Sequence, residues 1–347
     1  MTSRLLSEIG QCSGIVERLL RDEDGALAAV RAAVARRRPS SVVVVARGSS
    51  FYAGLYGRHL VETVLRLPVV MAAPVVASVY GGVIRLEGAL VIALSQGGQS
   101  PDIVATAEAA KRSAALTVAI VNDEQSPLAS VGDLVVPLGA GPEGVAATKS
   151  YVSELAALAA IVAGWSGRVE LAEALTRVPA AIARAAEAGS HWLDEEPGLV
   201  KEMAAATAIQ VVSRGYDLAT ALEVALKLTE TGSVIAQGFS ATDFRHGPVA
   251  ASGPGVPLLG IRPEGPAGPT VDLALEAAAG HGAIPWIIGG KSLARRRRAL
   301  ALDHGLPHEL APMALVMPGY VLTERVAWAR GRDPDRPAGL EKVTHTT

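Results

Sequence analysis

Cysteine is almost missing from this sequence. Cys12 is the only one in 347 residues, which excludes internal disulfides and cysteine-based zinc sites and points to a reducing, cytoplasmic setting. Half of the residues are hydrophobic, yet no apolar run reaches the roughly eighteen residues that a membrane span needs. The opening MTSRLLSEIGQCSG lacks a basic segment followed by an apolar core, so no signal peptide is expected. Excess charge is lacking too. Lysine and arginine total 32 against 34 acidic residues, so no global field draws the chain to nucleic acid, and no helix-turn-helix or zinc-finger pattern suggests otherwise. The one basic cluster, Arg295 to Arg298, falls in an expected helix between Lys291 and Leu302. It reads as a solvated face, with nucleic-acid contact as the other reading.

What is present is organised around Ala89 to Lys111. Ala89 to Leu94 is a short apolar run of the kind that fills the centre of a parallel sheet. Ser95 to Ser100, SQGGQS, is a small polar loop. Ser100 suits a helix N-cap, Pro101 the first helical position, and Asp102 complements a positive helix start. Backbone N–H groups, glycines that permit close approach and hydroxyl donors would together surround an anion, phosphate above all. The loop carries neither the Gly-Lys-Ser/Thr of a P-loop nor the G-x-G-x-x-G of a dinucleotide site. An ordinary strand-to-helix turn would use similar residues, so the loop alone leaves both readings open.

Around it, strand and helix alternate. Strands are expected at Ser41 to Ala46, near Val69 and Val70, at Leu116 to Val121 and at Leu134 to Leu138; helices open at Gly48, Ser49 and Ser50 and at Thr148. This pattern predicts a doubly wound parallel α/β sheet of about five strands. The pattern then restarts. Ile209 to Ser213 ends at Arg214-Gly215 as the first strand ends at Arg47-Gly48, an offset of 215 − 48 = 167, and Arg262 lies 262 − 95 = 167 beyond Ser95. A further strand is expected at Ile284 to Ile288. Two copies of one α/β unit follow. The second has Arg-Pro-Glu-Gly where the first has Ser-Gln-Gly-Gly, a poor phosphate cradle. The expected layout is N-terminal helices over 1–38, a first subdomain over 39–165, a helical connection over 166–198, a second subdomain over 199–335 and a tail over 336–347.

Tyr216 to Glu230 reads as a helix with an apolar stripe at Leu218, Ala221, Leu222, Ala225 and Leu226. Glu223, Lys227 and Glu230 fall at i, i+4 and i+7 on a second, charged stripe. A solvated face and a carboxylate base held beside a lysine both fit that spacing. Downstream, His246 is bounded by glycine and proline in Arg-His-Gly-Pro, and Lys342 lies in the polar tail.

Taken together, SQGGQS at 95–100, GVAATKS at 144–150, ALEVALKLTE at 221–230, RHGP at 245–248 and the lysine-bearing tail resemble the SIS (sugar isomerase) domain family. The pattern is most like the isomerase half of glucosamine-6-phosphate synthase (glutamine–fructose-6-phosphate aminotransferase). The resemblance implies two tandem flavodoxin-like subdomains, each a doubly wound parallel sheet flanked by helices. It implies that Ser50, Ser95, Gln96, Gly97 and Ser100 hold a sugar phosphate, with Ser49, Val145 and Ala147 lining the substrate. Glu230 is similar to the base that moves a proton between C2 and C1, with Glu223 and Lys227 beside it. His246 is similar to the ring-opening histidine given by a partner subunit, which implies a homodimer, and Lys342 to the lysine that engages the open-chain carbonyl. Neither a metal nor an organic cofactor is implied, and neither a nucleic acid nor a membrane is an expected partner.

Four departures stand out. Gly97 and Ala147 replace family serines, Gln99 replaces a glutamate, and Thr2 stands where the synthase has its glutaminase cysteine. Synthesis from glutamine is therefore not expected. The expected activity is isomerising deamination of glucosamine 6-phosphate to fructose 6-phosphate and ammonia. Dehydration of N-acetylglucosamine 6-phosphate by a lyase, deglycation of fructosamine 6-phosphates, and non-catalytic sugar-phosphate sensing are the alternatives.

Overall fold

The computed structural model describes residues 2–21, 25–82 and 84–340. Short valine- and isoleucine-rich runs make the first sheet: β1 (Ser41–Val45), β2 (Val69–Met71), β3 (Ala89–Ser95), β4 (Leu116–Val121) and β5 (Leu134–Pro137). All pair in parallel in the order β2-β1-β3-β4-β5. β4 is buried at every residue and β3 at every residue but Ser95, as strands covered on both faces must be. Ile103 of the helix Pro101–Arg112 and Leu128 pack with Val43, Val91 and Val121 in one core.

The second sheet repeats the first. β6 (Ala208–Ser213), β7 (Ile235–Ser240), β8 (Leu258–Arg262), β9 (Trp286–Gly290) and β10 (Ala299–Leu302) pair in parallel in the order β10-β9-β8-β6-β7. Numbered from its own first strand, this is the same 2-1-3-4-5 arrangement. The repeat reaches the backbone: Gly48 after β1 and Gly215 after β6 both take left-handed angles, φ +54° and +64°, and each follows an arginine. Its core gathers Val212, Phe244, Leu258, Val271 and Ile287.

The chain divides into two compact units. One comprises Gly14–Glu143 and Lys149–Thr176 and contains the first sheet; the other comprises Arg177–Leu340, the residues up to Ser13 and Gly144–Thr148, and contains the second. No helix among the described residues is long and apolar enough to cross a membrane.

Two local expectations are corrected. Arg295 to Arg298 do not lie in a helix. A 3-10 turn, Lys291–Leu293, is followed by a link in which Arg298 is left-handed (φ 56°), and the chain then enters β10. The alternating burial of Ala299 to Leu302 is that of an edge strand. The arginines spend their charge locally: Arg296 Nη1 lies 3.1 Å from Asp272 Oδ1, and Arg298 pairs with Glu202 while its guanidinium stacks 3.8 Å over the Trp286 ring. The strand expected at Ile284 to Ile288 starts two residues later, at Trp286, and Ile284 is exposed.

Candidate active site

In the first-sheet unit, the loop Ser95 to Ser100 leaves the carboxyl end of β3, and Gly48 to Ser50 leave that of β1. These adjacent strands flank the topological switch point, where open α/β sheets bind ligands. The loop is held by its own backbone. Gly98 N donates to Ser95 Oγ at 3.0 Å, Asn122 N to Gln96 O at 3.1 Å and Leu128 N to Gly98 O at 3.2 Å. Gly98 is left-handed, φ +60°, and a Cβ there would lie 2.2 Å from Ser126 Oγ, so only glycine fits. Gly97 is different: a Cβ there would meet nothing nearer than Gln99 Cγ at 3.9 Å.

Ser95 Oγ accepts the Gly98 N–H and keeps its own proton. Ser100 takes the N-cap position with extended backbone but makes no side-chain capping bond. Behind the loop, Asp102 is buried and bound by Arg47, whose Nε and Nη2 both stand 2.9 Å from Oδ2. The guanidinium offsets the one carboxylate near the helix start, which would otherwise repel an anion. Ser49 is half-buried at the start of its helix. Ser50 is buried and gives its proton to Glu154 Oε1 at 2.7 Å.

The second copy is built differently at the matching point. Arg262 is forked onto Asp272, Nε to Oδ1 at 3.1 Å and Nη2 to Oδ2 at 2.8 Å. Glu264 Oε1 accepts the Ser292 N–H at 3.3 Å.

The second-sheet unit carries the charged stripe, on the helix Leu218–Gly232. Arg330 Nε donates to the Gly232 carbonyl at 2.7 Å, a cation at the negative helix end. The solvated-face reading of the stripe is overturned: Glu223 is 0% and Lys227 1% exposed, while the expected core residues Leu218, Leu222 and Leu226 are only half-buried. The helix Pro312–Ala329, buried over almost its whole length, packs on this helix and excludes water from the stripe. Lys227 Nζ lies 2.5 Å from Glu230 Oε2 and 3.7 Å from Glu223 Oε1. Glu230 keeps about a fifth of its side chain exposed. A buried ammonium thus holds the one of the two carboxylates that a ligand can reach.

The Tyr320 hydroxyl donates to Glu223 Oε1 at 3.1 Å, a partner that sequence reasoning missed. Its signal was a hydroxyl in the middle of an apolar helix, since a buried tyrosine tip needs an acceptor. Asp217, at the N-cap of the Glu223 helix, is fully buried; burial pushes its carboxyl up to about 8, and the Thr220 hydrogen bond pulls the other way.

His246 follows the short helix Ala241–Arg245, its N–H bonded to Asp243 O at 3.0 Å and its ring exposed. Among the described residues no hydrogen bond joins it to the Glu223, Lys227 and Glu230 group. Val145 and Ala147 are half-buried in the segment Gly144–Thr148, whose Gly144 N–H donates to Glu8 Oε1 at 2.9 Å. Lys342 lies outside the described residues. No group of three His, Cys, Asp or Glu among the described residues could hold a metal ion.

Duplicated 2-1-3-4-5 sheets with a serine-glycine loop at one switch point define a sugar-isomerase domain protein. The chain belongs to the SIS domain family, whose model matches residues 37–164 and 202–305. Among known proteins it is 35% identical over 312 residues to a glutamine–fructose-6-phosphate aminotransferase (isomerising) of Methanothermobacter thermautotrophicus, a match covering 87% of this chain and 51% of the relative. The chain therefore spans about half the length of that relative. A solved structure from Silicibacter pomeroyi DSS-3, of a protein assigned to the phosphosugar isomerases, is 35% identical with a TM-score of 0.86, covering 96% of this chain and 100% of that one. The C-terminal domain of the glucosamine-fructose-6-phosphate aminotransferase of Francisella tularensis shares the fold, with a TM-score of 0.87 at 22% identity, over 97% of this chain and 99% of that one.

Proposed function

We propose that the protein is an isomerising deaminase that converts glucosamine 6-phosphate and water to fructose 6-phosphate and ammonia. The observation that carries this reading is the Lys227–Glu230 pair, a partly exposed carboxylate fixed by a buried ammonium. Ser95, Gln96 and Ser100 donate to the phosphate, with Ser49 and the backbone at Gly97 beside them. The reading keeps Ser50 in this group, where its hydroxyl donates to the phosphate only by turning away from Glu154, to which it now gives its proton.

In the open-chain aldehyde the C2 proton is acidified by the C1 carbonyl. Glu230 removes it, the electrons form an enolamine, and return of the proton to C1 leaves a C2 imine. Water adds at that imine and ammonia leaves. Lys227 and Glu223 orient the base, His246 opens the sugar ring and Lys342 engages the open-chain carbonyl. In this reading the protein is a homodimer in which His246 of one protomer serves the other.

A second reading rests on the room at Gly97, where an added Cβ has no neighbour within 3.9 Å. A substrate acetylated at the C2 nitrogen cannot take the imine route, and the same C2 carbanion would expel the C3 hydroxyl as water. One experiment separates the two: the purified chain is given glucosamine 6-phosphate or its N-acetyl form, and ammonia, fructose 6-phosphate and ultraviolet absorbance are followed. Ammonia with fructose 6-phosphate from the first substrate is expected. An unsaturated product from the second alone replaces deamination by dehydration, and silence from both leaves sugar-phosphate sensing or another sugar substrate. Glu230→Gln is expected to abolish turnover while phosphate-sugar binding survives.

A further inference from the structure

We propose that Tyr320 is a positioning residue that keeps the Lys227 ammonium on Glu230 by satisfying Glu223. The inference rests on the reading of Glu230 as the base. Glu223 is fully buried, and a buried carboxylate draws any donor within reach. Its Oε1 has two donors beside it, Tyr320 Oη at 3.1 Å and Lys227 Nζ at 3.7 Å. A carboxylate oxygen can accept from both, so a donor already on it lessens its pull on the other. The hydroxyl is the nearer, and the ammonium stands off towards Glu230, at 2.5 Å.

The surrounding packing enforces this arrangement. Gly319, next to Tyr320, faces Val224, next to Glu223; a Cβ on Gly319 would lie 2.4 Å from Val224 Cγ2. On the helix Val178–Glu195, Gly189 accepts Pro318 at similarly close range, an added Cβ there lying 2.7 Å from Pro318 Cα. Gly319 lets the Tyr320 helix approach the Glu223 helix closely enough for a tyrosine to span the gap, and Gly189 does the same for the contact of the Tyr320 helix with Val178–Glu195. Without the hydroxyl, Oε1 pulls harder on the ammonium, and Lys227 is drawn inward, off Glu230.

Tyr320→Phe tests this, since it removes one oxygen from a buried ring and keeps its shape. With glucosamine 6-phosphate, kcat is expected to fall about tenfold, the scale of one hydrogen bond to a charged group, with KM held within about twofold. Unchanged kcat, or a change confined to KM, overturns the proposal. Glu230→Gln is run alongside: if it stays active the base reading falls, whereas a dead Glu230→Gln beside a fully active Tyr320→Phe removes only the positioning role. A crystal structure of the Tyr320→Phe protein needs no substrate. Lys227 Nζ is expected nearer to Glu223 and farther from Glu230, and an undisturbed Lys227–Glu230 pair overturns the proposal whatever the enzyme's substrate. Should Tyr320→Phe fail to fold, Gly319→Ala, which pushes the two helices apart, reads the same shift of Nζ.

Discussion

Ser50 gives its hydroxyl proton to Glu154 across 2.7 Å, with both side chains buried. The bond ties the start of the helix Gly48–Leu60 to the helix Lys149–Ser166 within the first-sheet unit. Ser50→Ala is expected to lower unfolding free energy by about 1–3 kcal/mol, the cost of depriving a buried acceptor of its donor. Denaturant unfolding measures it. If the phosphate also depends on Ser50, KM rises in the same variant; a stability loss with KM unchanged assigns the residue to the scaffold alone.

Restoring a hydroxyl at Gly97 is expected to strengthen phosphate binding. The position is not left-handed and an added Cβ meets nothing within 3.9 Å, so Gly97→Ser places a donor without strain. Calorimetric titration with inorganic phosphate should show a gain of about 1 kcal/mol, roughly fivefold. The neighbouring Gly98→Ala should instead destabilise by more than about 1 kcal/mol, from its left-handed backbone and the clash with Ser126. Equal behaviour of the two variants would contradict the geometry of the loop.

Lys227→Met should be costly in two ways. Glu223 is left deeply buried without its cation, a loss of about 3–5 kcal/mol in chemical unfolding, and Glu230 loses the group that orients it. A variant that unfolds like the parent would mean that the buried cluster contributes nothing to stability.

Asp217 predicts a pH dependence. Its folded value, about 8, lies above the ordinary 3.8, so the native chain keeps a proton that the unfolded chain releases. Between those values each unit of rising pH favours unfolding by about 1.4 kcal/mol, and the effect is constant above and absent below. Asp217→Asn removes it. Thermal unfolding should show the variant gaining more on the parent at pH 8 than at pH 5, and equal gains would refute the assignment.

Much of this architecture is legible in the sequence because the central strands are continuous apolar runs: β1, β3 and β4 need no partner to be recognised. β10 is not, since four arginines ahead of a four-residue alternation resemble an exposed helix as much as an edge strand. β7, IAQGFS, is too polar to announce itself. In the site, the spacing of Glu223, Lys227 and Glu230 is readable, but their burial is not. An i, i+4 glutamate–lysine pair looks the same on a wet helix and a dry one. The difference is made by the helix Pro312–Ala329, which lies some ninety residues onward in the chain and carries Tyr320 to Glu223.

In the second copy Glu264 accepts the Ser292 N–H with its own carboxylate, and Arg262 is spent on Asp272. Donors that could have greeted an anion are already engaged by the protein's own acids. On the proposed reading a fold that occurs twice offers one docking point, and a phosphate titration should saturate at a stoichiometry of one ion per chain. On that reading, duplication doubled the scaffold but not the ligand count, leaving the second sheet to carry the helix of Glu223, Lys227 and Glu230.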